Sequence, residues 1–122
     1  MREVYERIVA YFDENVALCK EQERTCAADG RGDESVFQKI RGNVYDIFRT
    51  VFSVAVRLHG EDGEAVAAFF RTKLEQIPAG WQTERDKAAQ HGDVTKQHIE
   101  ELKWQTALAI QENFERIWEA SV

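Results

Sequence analysis

The chain has 122 residues, 43% apolar and 31% charged, which suits one globular domain and is too apolar for general disorder. Sixteen Lys and Arg against 22 Asp and Glu give a formal charge of −6. The basic residues are scattered singly, so nucleic acid, whose phosphates require a concentrated basic surface, is not an expected partner.

No apolar run approaches the roughly 20 residues of a bilayer span, and no membrane role is expected. The first seven residues carry a charge every few positions and no apolar stretch, so no signal peptide is read and the expected compartment is the cytoplasm. The single proline and the glycine islands at 29–33, 60–63 and 92–93 divide the chain into four amphipathic pieces of similar length.

In the first piece, 2–28, Tyr5, Ile8, Phe12, Val16, Cys19 and Cys26 recur at helical steps, with Val4, Tyr11 and Leu18 as a neighbouring seam. The two cysteines are seven residues apart, roughly 10 Å along one helix, beyond disulfide reach. They read as small buried apolar residues. The turn that follows contains Arg31-Gly32-Asp33, a match to an integrin-binding tripeptide that carries no weight without a secretory signal. Ser35 followed by Gln38 fits a capping box and predicts a helix start near Val36.

The second helix, 36–59, is the most apolar. Phe37, Ile40, Val44, Ile47, Val51, Val54 and Leu58 hold a heptad-like spacing and are expected in the core, flanked by Tyr45, Phe48, Phe52 and Ala55. Its polar stripe is narrow: Asp46, Arg49, Thr50, Ser53 and Arg57. Such a helix requires cover on more than one side, from its own bundle or from a second subunit. Gly42 within it implies either a close helix crossing or a local break.

The third piece buries Val66, Phe69, Phe70, Leu74 and Ile77 and is expected to kink or break at Pro78, leaving a separate, poorly buried helical piece at 83–91. Asp93 caps the last helix, 94–120, with Ile99, Leu102, Thr106, Ile110, Phe114 and Ile117 as its stripe and Trp104, Leu108 and Trp118 beside it. The fold class is therefore all-α, an antiparallel up-down-up-down four-helix bundle in one domain spanning 1–122. A more open array in which two protomers share the second helix is the alternative.

Chemistry-bearing residues do not converge. His91, Asp93 and His98 are close in sequence and His98 with Glu101 shares a helix face, but no Glu-x-x-His pair is present, and the histidines read as solvated. A Cys–His pair of Cys19 or Cys26 with His59 lacks an electropositive setting, Ser35 and Ser53 lack a partner base, and Gly30-Arg31-Gly32 has no phosphate-loop spacing. No catalytic residue, metal ligand or cofactor is expected. The expected function is a non-enzymatic protein-interaction module of the adaptor, chaperone-like or regulatory kind. The alternatives are an acidic, immunity- or antitoxin-type inhibitor of a basic partner, and a small-ligand carrier with a pocket between helices. The partner is expected to be a protein, with a homodimer favoured. Its candidate contacts are Tyr45, Phe48, Phe52 and Trp81, aromatic positions on the apolar flank of helix two and beside the proline.

Overall fold

The computed structural model describes residues 1–121. Four helices, α1 (Arg2–Ala28), α2 (Gly32–His59), α3 (Gly63–Gln90) and α4 (Val94–Ser121), are joined by short turns, with no strand among the described residues. The contacts between helices are those of a four-helix bundle. α1 packs most extensively on α2 and α3 on α4, while α2 also meets both α3 and α4. The α2–α3 connector lies at the same end as residues 1 and 121, here called the lower end. The α1–α2 and α3–α4 turns form the upper end.

Both upper turns have one construction. At the end of α1, Gly30 adopts φ +75°, its N–H donates to the Ala27 carbonyl, and the Arg31 N–H reaches back to Cys26. At the end of α3, Gly92 adopts φ +70°, donating to Ala89, and the Asp93 N–H reaches Ala88. These are Schellman closures, which need a left-handed residue just past the helix and therefore glycine. Asp93 also accepts from the Lys96 N–H at 3.0 Å, and Asp62 from the Ala65 N–H at 3.2 Å, so both cap the helices that follow.

The expected start of α2 is corrected. The helix begins at Gly32, four residues ahead of the expected Val36, because the Schellman closure delivers Arg31 directly into the first helical turn. Ser35 is no cap; its hydroxyl donates to the Glu23 carbonyl of α1 at 3.0 Å. Gly42 resolves in favour of a close crossing, since a Cβ there would stand 3.2 Å from the Cys19 Cβ on α1.

The core is aromatic and sits in the lower half. Phe12, Phe48, Phe52, Phe70 and Phe114, with Ile8, Val44, Val66 and Ile110, are fully buried. Phe70 is the hub. Its ring lies 6.0 Å from Phe12, 6.3 Å from Phe48, 5.6 Å from Phe52 and 4.5 Å from Phe114, so one α3 side chain meets α1, α2 and α4. Each buried aromatic contributes about 1.5–3 kcal/mol through area alone, and edge-on pairs add about 0.5–1.5 kcal/mol.

At Pro78 the expectation of a break is corrected: α3 is one helix from Gly63 to Gln90. Proline removes the hydrogen bond to the Leu74 carbonyl, a cost of about 3 kcal/mol in a helix interior. Pro78 is itself buried, and the chain on both sides of it packs against α4. The polar segment beyond it is held by charge instead of apolar area. Arg85 pairs with Glu101 and stacks over Trp104 at 5.5 Å, and Glu84 pairs with Lys96 at 3.1 Å.

Candidate interaction surface

The four candidate contacts divide. Phe48 and Phe52 are 0% exposed, so neither can touch a partner. Phe48 lies opposite the polar arc of α2, and Phe52 is covered by Tyr5, Phe70 and Phe114. Tyr45 is half-buried, edge-on to Tyr11 at 6.1 Å. Trp81 is half-buried and packs edge-on against Phe48 at 6.3 Å. Burial pushes the hydroxyl pKa of both Tyr11 and Tyr45 upward, and the enclosed Tyr11 hydroxyl has no hydrogen-bond partner of acceptable geometry.

Of the stripe expected in the core, Val44 is buried, but its continuation from Ile47 to Leu58 lies toward the surface. Ile47 is 40% exposed and Leu58 57%, with Val51 and Val54 half-buried between them. The cause is that α2 carries two adjoining apolar stripes and only one of them can point at the bundle axis. The larger aromatic stripe occupies that position. A signal for this phase was present: at about 100° per residue, the centre of the arc formed by Asp46, Arg49, Thr50, Ser53 and Arg57 lies opposite Val44, Phe48 and Ala55, three of the four α2 residues found buried, the fourth being Phe52.

The outward stripe does not stand alone. Across it on α3 lie Phe69 and Ile77, both half-buried although they were expected in the core. Between the two helices runs a shallow groove of about 350 Å³ lined by Thr50, Val51, Val54, Phe69, Lys73, Gln76 and Ile77. The one charge in that lining is Lys73, whose ammonium lies 5.6 Å from the Phe69 ring. His59 closes the lower end against the same ring at 5.8 Å. Other exposed apolar side chains, including Leu18, Val36, Val94 and Leu108, are distributed over the remaining surface, a pattern that needs no explanation.

A second groove of about 620 Å³ lies between α3 and α4, with Leu74, Pro78 and Ala107 in its lining and Arg71 and Glu115 at its rim. Those two are joined by a pair of hydrogen bonds at 2.6 and 3.0 Å, which occupies the donors an anion would need.

The remaining candidates stay apart. The three histidines are exposed and lie on α2, in the α3–α4 turn and on α4, and the described residues contain no group of three or more His, Cys, Asp or Glu able to hold a metal. Cys19 and Cys26 are buried, unbridged thiols, and burial pushes the Cys19 thiol up, away from the reactive thiolate. Arg31 is tied to Asp29 and Glu34 at 3.2 and 2.7 Å. No described helix is long and apolar enough to cross a membrane. The chain matches no family model, no curated protein and no solved structure.

Proposed function

We propose that this chain is a protein-interaction module that docks a partner on the α2–α3 face. The observation that carries the reading is the stripe of exposed Ile47 and Leu58 with half-buried Val51 and Val54 between them, which continues across the groove into Phe69 and Ile77. Contiguous apolar surface between two packed helices is the surface type that receives an amphipathic helix, through anchors at i, i+3, i+4 and i+7. Val51, Phe69 and Ile77 at the groove pack against the buried core, so the groove does not close by collapsing inward.

The test is capture from the native host with three baits. The unmodified chain and Leu18→Glu, which alters an exposed apolar residue on α1, retain the same partner, while Val54→Asp loses it at unchanged helicity. Equal capture by all three baits removes the α2–α3 face as the docking surface. A two-fold pairing of the same face is the second reading, supported by the regular four- and three-residue spacing of the stripe, which a second copy of α2 would match. Sedimentation equilibrium separates the two: a mass near 14.1 kDa at every concentration eliminates the homodimer.

A further inference from the structure

Resting on that docking reading, we infer that the partner element is an acidic amphipathic helix, with an apolar stripe seated between α2 and α3 and carboxylates along its edges. The argument is one of charge complementarity. The chain as a whole is acidic, yet the groove lining holds no Asp or Glu and one cation, Lys73. Of the Lys and Arg on these two helices, Arg49 is neutralised by Asp13 and Asp46, Arg71 by Glu115, Arg85 by Glu101 and Lys87 by Glu84. Lys39 and Arg41, unpaired among the described residues, line clefts against α1 and α4, away from the groove.

Among the described residues Lys73 has no carboxylate partner; its neighbour is the Phe69 ring. Arg57, exposed and equally without a carboxylate, lies on the flank of α2 away from α3, beyond Val54 and Leu58. The two cations thus border the apolar strip on opposite sides. At the lower end the acids are Glu61 and Asp62 of the connector; the Asp62 carboxylate is engaged as the α3 cap, and the exposed Glu61 shares a surface cleft with Arg57, beyond the groove lining.

An occupant with basic edges would meet two like charges. One with acidic edges gains two pairings at a partly desolvated rim, where charge selects partners more strongly than it adds affinity. From Ile47 to Leu58 the stripe rises roughly 16 Å, so about three turns of helix engage it. An anionic membrane surface is a poorer match, because polybasic membrane contacts use clusters of four to eight Lys or Arg on a single face.

Two synthetic peptide helices test this, sharing one leucine stripe and differing only in glutamate or lysine at the flanking positions. Fluorescence anisotropy with the full chain gives tighter binding of the glutamate peptide by about tenfold, from two rim pairs of under 1 kcal/mol each. The preference shrinks in high salt and collapses in the double variant Lys73→Glu, Arg57→Glu, whereas Val54→Asp weakens both peptides alike. Equal binding of the two peptides, a preference for lysine, or a glutamate preference that survives the double variant overturns the inference. Cosedimentation with phosphatidylserine-containing vesicles in place of peptide binding overturns it too. The Val54→Asp capture experiment is read separately, so loss of the acidic preference leaves the docking face itself standing or falling on its own result.

Discussion

The lower and upper halves of the bundle use the same four helices and are held by different forces. Below, rings from all four helices interlock around Phe70. Above, α2 fully buries no residue between Gly32 and Asn43, and between Ala79 and Ile99 only Ala88 is fully covered. α3 and α4 are joined there by ion pairs, Arg85 with Glu101 and Glu84 with Lys96, and α2 meets α4 through the Phe37–His98 ring contact at 4.7 Å. α1 and α2 are held by the small buried Cys19 and Cys26, the close crossing at Gly42 and the Ser35–Glu23 hydrogen bond. Solvent-facing ion pairs contribute about 0–1 kcal/mol each, against several kcal/mol for a buried phenylalanine. Helical content is thus uniform along the molecule while stability is concentrated at one end, which ties local opening to the upper end.

The largest test of this contrast is Phe70→Ala, expected to cost about 3–5 kcal/mol in denaturant unfolding, set against Phe37→Ala, expected to cost less than about 1.5 kcal/mol because that ring is only half-covered. Similar costs at the two sites would abolish the distinction between the halves.

Next comes the inside-outside phase of α2 within the lower half. Phe48→Ala is expected to lose about 3–5 kcal/mol and its neighbour Ile47→Ala under about 1 kcal/mol. A reversed order in a thermal melt would return the heptad stripe to the core and remove the groove.

A smaller effect follows from the upper-half ion pairs. The hydrogen bond and charge of Lys96 hold the Glu84 carboxyl below its ordinary range, and hydrogen bonds from Arg85 and Gln105 do the same for Glu101. A carboxylate whose pKa is lowered on folding adds stability above its unfolded pKa and loses it as pH falls through the folded value. Amide protection factors at the upper end should therefore fall below about pH 4, before those of the Phe70 layer change. Simultaneous loss of protection in both halves would contradict the division.

The smallest expected change is Tyr11→Phe. Its enclosed hydroxyl has no hydrogen-bond partner, so deletion removes an unsatisfied group and leaves stability unchanged or raised by up to about 1 kcal/mol. A loss above 1 kcal/mol would mean that the hydroxyl is bonded in solution.

The helices were legible because their ends depend on local chemistry: Gly30 and Gly92 supply the left-handed closures, and Asp62 and Asp93 the caps. The α1 stripe was legible for a similar reason, since its polar face is broad enough to leave one inward direction; Ile8, Phe12, Val16, Cys19 and Cys26 all lie buried. On α2 the polar arc is narrow, two stripes compete, and periodicity alone does not rank them. Phe48 and Phe52 took the interior, and the candidate surface moved around the helix to Ile47, Val51, Val54 and Leu58. The continuity of α3 through Pro78 was hidden because local propensity records the cost of proline, and the opposing contacts come from α4, distant in sequence.

The Phe70 hub has a consequence for association. Val51, Phe69 and Ile77 line the groove and pack against the buried core, so a partner landing there would meet backbone already immobilised by the core. Binding to such a preorganised face forgoes most of the ordering entropy that flexible recognition segments surrender. The expected calorimetric signature is a negative heat-capacity change from buried apolar area, with no added contribution from folding of this chain.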